Sequence, residues 1–381
     1  MSHPAGERLP SAPPQASSPL RTPICELFGI RYPIVQTGMG YVAGPRLVAA
    51  TANAGGLGII AGGTLSYDEL VAAVRRTKQR TDAPFGVNIR ADAPDAPRRA
   101  QLLIDEGVRV ASFALAPHRD LIRRLRDAGV AVMPSIGARR HAEKVAEWGV
   151  DAILVQGGEG GGHTGTVPTS LLLPQVVDAV DVPVVAAGGY FDGRGLVAAL
   201  AYGAAGIAMG TRFLLTSDSP VADAVKARYL AASVTDTVRT EALDGVPQRV
   251  LRSEVIDALE DSRRLRRLRR SMGSAMAFRR ASGARWWDMV REGLSMRRSR
   301  GLRAEQVLMA ANTPMLLRAS MVDGRPEAGV MATGQVVGLI DDLPSCAELI
   351  ERIMAQASAV LDSLAPAAPS PPSAPTKRLV G

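Results

Sequence analysis

PVVAAGGYFDGRGLVAALAYGAAGIAMG, residues 183–210, contains one complete strand–helix–strand unit. The runs 183–188 and 206–210 are apolar throughout, which is typical of parallel strands covered on both faces. Between them, GRGLVAALAYG (193–203) has the pattern of an amphipathic helix that ends at a glycine. The stretch therefore predicts a βαβ unit.

The same alternation runs through the whole N-terminal half of the chain. Amphipathic stretches such as 66–80 and 118–129 separate apolar runs whose starts lie 22 to 31 residues apart. Eight such units fit a closed barrel; an open doubly wound sheet would show the same alternation, but no strand-order switch is visible. We therefore predict an α/β fold, a (β/α)₈ TIM barrel, with active-site groups at the C-terminal ends of its strands. The predicted strands are 32–37, 57–61, 85–89, 108–114, 130–135, 152–156, 183–188 and 206–210.

Length and composition set the domain organisation. The chain has 381 residues, enough for one barrel and an appendage. We predict disordered ends at 1–20 and 364–381, a barrel over 21–216, and a helical, Arg-rich appendage with closing helices (among them 307–324 and 329–357) over 217–363. No stretch reads as a signal peptide or membrane span, which indicates a cytoplasmic protein without a membrane partner. Cys25 and Cys346, the two cysteines, are too few for a disulfide framework or a cysteine metal site and are interpreted as small core residues.

The loop after the sixth predicted strand carries the candidate catalytic residue. It reads QGGEGGGHTG (156–165), with five glycines between Gln156 and His163. So few side chains let a flat or phosphorylated ligand approach the backbone and place an imidazole over it. The alternative is a flexible loop with an incidental histidine, which the strand-end position disfavours. Glu159 either orients His163 or is a solvated carboxylate.

Glycines also end the seventh and eighth predicted strands. Gly188 and Gly189 follow one strand, and the run Ala208-Met209-Gly210-Thr211 ends the other. In many phosphate-binding barrels the loops after these two strands hold a phosphate through backbone N–H groups and a short helix. The paired glycines therefore predict a phosphate site. No Rossmann fingerprint or P-loop occurs in its required context.

Several stretches of the sequence resemble the nitronate monooxygenase (2-nitropropane dioxygenase) family over roughly residues 21–350. In that family FMN lies across the mouth of the barrel, and the resemblance implies that His163 takes a proton from the substrate carbon. Gly160 replaces the family's usual alanine, and Thr-Gly-Met-Gly ends the first strand where Ala-Pro-Met-Ala is more frequent. The stretches are PIVQTGMG (33–40), TANAGGLG (51–58), FGVNI (85–89), VQGGEGGGHTG (155–165) and AAGGYFDGRGLVAALAYGAAGIAMGTRFLLT (186–216). The implied FMN contacts are Met39, Asn88, Gln156, Gly161, Gly188, Gly189, Ala208, Met209, Gly210 and Thr211.

As a whole, the chain resembles a branch found in actinobacterial steroid (cholesterol) degradation. This resemblance implies an FMN-dependent oxidoreductase that introduces a double bond into a CoA thioester of the last steroid rings. Three alternatives stay open: a nitronate monooxygenase using alkyl nitronates and O₂, a flavin enoyl-thioester reductase using NAD(P)H, and a barrel that binds a phosphorylated ligand without turnover. Each has a small molecule as its partner.

The positive charge of the chain is concentrated in one segment. The net charge is +8, and residues 263–303 hold fourteen arginines against Asp288 and Glu292. A solvated or oligomer-forming face and recognition of CoA phosphates both stay open for this segment. Nucleic-acid binding is disfavoured because only 4% of residues are aromatic and no recognition module is present. The candidate ligands of the CoA phosphates are Arg266, Arg267 and Arg270.

Overall fold

The chain folds around a closed eight-stranded parallel barrel. The computed structural model describes residues 19–114, 117–260 and 313–365. The strands are β1 Ile34–Gln36, β2 Leu57–Ala61, β3 Gly86–Ile89, β4 Val110–Phe113, β5 Ala131–Ile136, β6 Ile153–Gln156, β7 Gly162–His163, β8 Val184–Ala187, β9 Gly206–Met209, β10 Thr237–Thr240 and β11 Gln248–Leu251. All except β7, β10 and β11 form the barrel, in sequence order, and β9 pairs with β1 to close it. The predicted TIM barrel is confirmed, and closure excludes the doubly wound sheet.

Helices alternate with the barrel strands and cover the outer face. The helix α3 (Tyr67–Lys78) begins with a capping box, because the Ser66 hydroxyl accepts from the Glu69 N–H and the Glu69 carboxylate accepts from the Ser66 N–H. Asp192 caps the N-terminus of the helix α8 (Gly193–Ala201), because its carboxylate accepts from the Gly195 N–H. The helices are α1 Pro23–Phe28, α2 Pro45–Asn53, α3 Tyr67–Lys78, α4 Ala96–Asp105, α5 Arg119–Asp127, α6 Arg139–Glu147, α7 Thr169–Val177, α8 Gly193–Ala201, α9 Thr211–Leu214, α10 Asp223–Leu230, α11 Glu254–Glu260, α12 Thr313–Met321 and α13 Cys346–Leu364.

The barrel strands are mostly apolar because both of their faces are buried, and their few polar residues include the buried Gln36 in β1 and Ser112 in β4. In β6, Leu154 packs into the barrel interior while Ile153 and Val155 pack outward under the helices. α1 contributes Ile24 to the interior cluster and sits at the N-terminal ends of the strands, where the Thr22 hydroxyl donates to the Ala205 carbonyl just before β9. The C-terminal ends of the strands are therefore the open end of the barrel.

The predicted helical appendage is only partly helical. Within it, β10 and β11 form an antiparallel hairpin, and β11 also pairs with β7 from the glycine-rich loop. The prediction of helix over this stretch is wrong because the two strands are short and their pairing partners, not a local pattern, determine their conformation. The boundary between residues 216 and 217 stays a prediction. Residues 261–312 and most of 1–20 and 364–381 lie outside the described residues.

The predicted helix over 329–357 begins only at Cys346. Before it, the chain runs extended, with a short 3₁₀ turn at Gln335–Leu339. Gly329 and Gly334 make close backbone approaches: a Cβ would lie 2.5 Å from the Leu316 carbonyl oxygen at the first and 2.8 Å from the Glu159 carbonyl oxygen at the second. These contacts favour the extended path over a helix. α13 then packs against α8 on the outer face of the barrel.

Candidate active site

The C-terminal ends of the barrel strands bring together most of the residues predicted to contact FMN. A Cβ built on Gly210 would lie 3.5 Å from the Met39 sulfur. One built on Gly38 would lie 2.7 Å from the Asn88 Cβ, so the loop after β1 crosses directly over β3. The structure thus places Met39 beside the end of β9 and Asn88 against Gly38, in the loop that carries Met39. Their role in binding FMN stays a prediction.

The turns after β8 and β9 have the features of an anion site. Gly188 and Gly189 adopt φ values of +98° and +85°, which L side chains rarely adopt. Thr211 is the first residue of α9, the short helix that directly follows β9. Among the described residues, none accepts a hydrogen bond from the backbone N–H of Gly189, Gly210 or Thr211. N–H groups without acceptors are what a phosphate site requires, and that a phosphate binds here stays a prediction.

Side-chain hydrogen bonds anchor the glycine-rich loop. The Gln156 amide donates to the carbonyl oxygens of His163 (2.9 Å) and Gly161 (3.2 Å). From the hairpin, the Arg249 guanidinium donates two bonds to the Gly158 carbonyl, at 2.9 and 3.2 Å. The loop that carries the histidine is therefore held at both of its ends, which counts against an unanchored glycine linker.

Glu159 caps a helix. Its carboxylate accepts from the Thr169 N–H at 2.9 and 3.1 Å and from the Thr169 hydroxyl at 2.7 Å. Thr169 is the first residue of α7, where backbone N–H groups lack intrahelical partners. Both interpretations of Glu159 from the sequence, as an orienting group for His163 and as a solvated carboxylate, are wrong.

His163 meets a carboxylate that the sequence analysis did not single out. Its Nε2 lies 2.7 Å from Oδ2 of Asp244, which lies in the loop between β10 and β11. The His163 side chain is 57% exposed, whereas that of Asp244 is 11% exposed. Burial alone would raise the pKa of Asp244, but the hydrogen bond and charge of His163, a hydrogen bond from the Gln248 side chain and one from the Val246 N–H outweigh it and lower that pKa.

A C-terminal segment, residues 331–335, completes this end of the barrel. It runs along β11, where the Leu251 N–H donates to the Met331 carbonyl. The Gly334 N–H then donates to the Thr211 hydroxyl at 3.0 Å, and a Cβ on Gly161 would lie 2.5 Å from the Thr333 carbonyl carbon. The segment therefore joins the glycine-rich loop to the start of α9.

Two parts of this site were missed from sequence. Asp244-Gly245 is a dipeptide typical of turns between strands, so a signal for the hairpin loop was present. Nothing local marks Thr333 and Gly334 as neighbours of Thr211, more than a hundred residues away. Arg266, Arg267 and Arg270 lie outside the described residues.

Other predictions concern the rest of the molecule. Cys25 and Cys346 are buried, as expected of small core residues. Over the described ranges, no helix has the length and apolar character needed to span a bilayer. Nor do three or more metal-ligating side chains cluster in that part of the chain.

Comparison with known proteins identifies the family. The family model for nitronate monooxygenase matches residues 21–356. The chain belongs to the nitronate monooxygenase family. This family member is 63% identical over 341 residues (89% of this chain, 96% of the relative) to the (3aS,4S,5R,7aS)-5-hydroxy-7a-methyl-1-oxo-octahydro-1H-indene-4-carboxyl-CoA dehydrogenase of Mycobacterium tuberculosis. It is 60% identical over 347 residues (91% and 98%) to the dehydrogenase of the same name from Rhodococcus jostii.

Solved structures agree with this assignment. FabK from Thermotoga maritima matches with a TM-score of 0.73 and 34% identity, over 90% of this chain and 98% of that one. The nitroalkane oxidase of Streptomyces ansochromogenes matches with a TM-score of 0.70 and 28% identity, over 90% and 99%. The nitronate monooxygenase family is one of flavin enzymes, and this member of it is an oxidoreductase. The resemblance noted from the sequence is confirmed.

Proposed function

We propose that this enzyme is an FMN-dependent dehydrogenase that introduces a double bond into a steroid-derived, ring-bearing acyl-CoA, with His163 as its base. The relatives that are 60% and 63% identical are named as dehydrogenases of a hydroxy-methyl-oxo-octahydroindene-carboxyl-CoA. The observation that carries the proposal is His163 itself. His163 lies on an anchored loop at the open end of the barrel. One of its ring nitrogens forms a hydrogen bond with the Asp244 carboxylate, and the other has no partner among the described residues.

The turns after β8 and β9 fit the phosphate of FMN. The free N–H groups of Gly189, Gly210 and Thr211 would hold it, and side chains are absent from both glycines. Met39, close to the end of β9, and Asn88, against Gly38, would then contact the flavin ring. Gly161 lies against Thr333, so we expect the segment 331–335 to contribute to the same site. When bound, FMN would supply a two-electron hydride acceptor.

The protein's own task is to move a proton. The carbon next to a thioester carbonyl is acidic because the carbanion delocalises onto the carbonyl oxygen. His163 accepts this proton, and hydride loss from the neighbouring carbon leaves the carbon–carbon double bond. N–H groups of the glycine-rich loop are suited to stabilise the negative charge that develops on the thioester oxygen. Asp244 stabilises the imidazolium that results, because its carboxylate lies 2.7 Å from Nε2.

The CoA part of the substrate is a separate element of the proposal. We propose that Arg266, Arg267 and Arg270 bind its phosphates, since guanidinium groups form paired hydrogen bonds to phosphate oxygens. The relatives' names support a CoA thioester. The position of these arginines relative to the barrel mouth is part of the proposal.

Anaerobic reduction of the bound flavin tests the proposal. The purified protein would be titrated with the octahydroindene-carboxyl-CoA, with the matching free acid as a control, and with propyl nitronate. We expect the CoA thioester to bleach the flavin absorbance near-stoichiometrically and the free acid to leave it unchanged. Bleaching by propyl nitronate alone would overturn the substrate assignment. A colourless protein that gains no absorbance on adding FMN would overturn the flavin assignment.

Nitronate oxidation is a second candidate. A probable nitronate monooxygenase of Staphylococcus saprophyticus is 31% identical over 289 residues, and the nitroalkane oxidase shares the fold over nearly all of its length. A base at His163 suits oxidation of the neutral nitroalkane, because a carbon acid next to a nitro group also loses a proton, whereas an alkyl nitronate has already lost it. The titration above separates the two candidates.

A further inference from the structure

The two ring nitrogens of His163 have different surroundings. Nε2 lies 2.7 Å from Oδ2 of Asp244. Within residues 19–114, 117–260 and 313–365, no group forms a hydrogen bond with Nδ1. An ionised carboxylate can only accept hydrogen bonds, so the nitrogen that faces it must carry the proton. The neutral ring therefore has its lone pair on Nδ1.

The carboxylate is itself fixed in place. Its second oxygen, Oδ1, accepts a hydrogen bond of 3.1 Å from the Val246 N–H two residues ahead. Asp244 as a whole is 8% exposed, so few waters compete for either oxygen. With Oδ1 on the backbone, Oδ2 is the oxygen left for the imidazole. The pKa of Asp244 is lowered by His163 despite burial, which keeps this group ionised at neutral pH.

The hairpin is the element that brings the two side chains together. β11 pairs antiparallel with β7, with His163 directly opposite Gln248. The loop that enters β11 carries Asp244, so the same pairing that extends the glycine-rich loop into a sheet also delivers the carboxylate. The barrel supplies the base, and the appendage supplies its partner.

We propose that Asp244 is the positioning residue of the His163 base: it holds the Nε2–H tautomer and leaves Nδ1 as the nitrogen that accepts the substrate proton. The inference rests on the proposed function for the role of His163 but not for the identity of the substrate. In the reaction, the substrate C–H proton moves to Nδ1, and the positive ring is stabilised by the carboxylate. Asp244 takes up no proton, as is usual for a carboxylate that orients a histidine.

An asparagine at this position makes a sharp prediction. Since the Val246 N–H is bound at Oδ1, the amide oxygen of Asp244→Asn stays there and the amide nitrogen faces Nε2. An amide N–H donates, so Nε2 must become the acceptor and the proton moves to Nδ1. The asparagine thus blocks the nitrogen that acts as base. In Asp244→Ala, water can occupy the space and both tautomers remain accessible. We therefore expect the asparagine variant to be slower than the alanine variant. A merely structural carboxylate would give the opposite order, because asparagine preserves its shape.

The test is ¹⁵N NMR of the histidine rings in the FMN-loaded protein, combined with stopped-flow flavin reduction. The chain has four histidines, and loss of one signal set in His163→Asn assigns the relevant ring. We expect the neutral ring of the wild type to carry its proton on Nε2 and that of Asp244→Asn to carry it on Nδ1. Flavin reduction should fall by roughly 10²–10⁴-fold in Asp244→Asn and by less in Asp244→Ala, with partial recovery in Asp244→Glu. Glu241→Gln, an exposed carboxylate in the same loop, is the matched control and should match the wild type in both measurements.

Each outcome decides the inference. A wild-type ring protonated on Nδ1, or an asparagine variant at least as active as alanine, would overturn it. If Asp244→Asn does not fold, the wild-type spectrum and the order of the alanine and glutamate variants decide. The tautomer is read without substrate. A correct tautomer in a protein that fails to oxidise the CoA thioester would therefore refute only the substrate assignment.

Discussion

The backbone N–H of Gly334 donates to the hydroxyl of Thr211 over 3.0 Å, so a C-terminal segment is bound to the first residue of the helix that follows β9. The hydroxyl of Thr333 lies 3.4 Å from the same oxygen. The next residue of the C-terminal segment, Gln335, donates its N–H to the Glu159 carbonyl oxygen at 2.9 Å. The proposed anion site at the barrel mouth would thus be built from three parts of the chain that are far apart in sequence.

Gly334→Ala should weaken FMN binding. The added Cβ would lie 2.8 Å from the Glu159 carbonyl oxygen, which forces the segment away from the glycine-rich loop. Overpacking of this kind costs about 1–3 kcal/mol, or roughly one to two orders of magnitude in the dissociation constant of FMN. Flavin-fluorescence titration of the apoprotein measures it. Gly44→Ala is the matched control: both glycines precede a helix in extended conformation, but Gly44 has no atom within 4 Å of the new Cβ. Equal affinities would remove the segment from the cofactor site.

Glu159→Gln should reduce stability and spare catalysis. The carboxylate caps α7 through Thr169, and loss of a cap costs about 1 kcal/mol. Urea unfolding should show this decrease, while flavin reduction by substrate keeps the wild-type rate. A rate loss of about 10²-fold with unchanged stability would instead assign Glu159 an acid/base role.

Much of the fold was predictable because it depends on local pattern. The eight apolar runs lie on the eight barrel strands, because strands buried on both faces consist mainly of apolar residues. The hairpin was not predictable in the same way. β10 and β11 are four residues each and owe their conformation to one another and to β7. In the stretch 329–345, close contacts with Leu316 and Glu159 override the helical pattern.

In the candidate site too, the features that follow from local sequence were predictable, and the contacts made only on folding were not. His163 and the strand-end glycines stand next to the features that reveal them, a strand end and a run without side chains. Asp244 is 81 residues from His163, and its contact depends on the β7–β11 pairing, which no periodicity shows. Glu159 was misinterpreted because its partner, Thr169, becomes a neighbour only when the loop folds back onto α7.

Asp342→Ala should destabilise the fold in a pH-dependent way. The Arg212 side chain, 3% exposed, donates to the Asp342 carboxylate at 2.8 Å. Removal of that carboxylate leaves the buried charge of Arg212 unpaired, which should lower the free energy of unfolding by about 3 kcal/mol. Burial by itself would raise the pKa of Asp342, but Arg352 and Arg212 lower it below the ordinary value of 3.8. The wild type is therefore more stable than Asp342→Ala by the full amount above pH 3.8. This difference in the free energy of unfolding is lost as the pH falls from 3.8 toward the lowered pKa of Asp342.

Urea unfolding at a series of pH values measures this advantage. Arg352→Gln is the control, because the pair of Arg352 with Asp342 is solvent-exposed and is expected to contribute only about 0.5 kcal/mol. An advantage that is unchanged at pH 3 would contradict the role of the ionised carboxylate.

Charge reversal at Arg266, Arg267 and Arg270 should affect one class of substrate. If these arginines bind CoA phosphates, the triple glutamate variant should raise KM for the CoA thioester by roughly tenfold or more, because charge-assisted hydrogen bonds are lost. Oxidation of propyl nitronate, which lacks phosphates, should be unchanged. Triple reversal of the exposed residues Arg76, Arg80 and Arg119 makes the same change in net charge and is the control. Equal effects on both substrates, or on neither, would refute the CoA assignment.

Pre-steady-state flavin reduction in His163→Asn tests the central claim most directly. The variant should purify with FMN bound, since none of the N–H groups assigned to the phosphate depends on the imidazole. Under anaerobic conditions with the CoA thioester in excess, the rate of flavin bleaching should fall by roughly 10²–10⁴-fold, the contribution of a positioned general base. Bleaching at a near-normal rate would contradict the account, because another group would then have to accept the substrate proton.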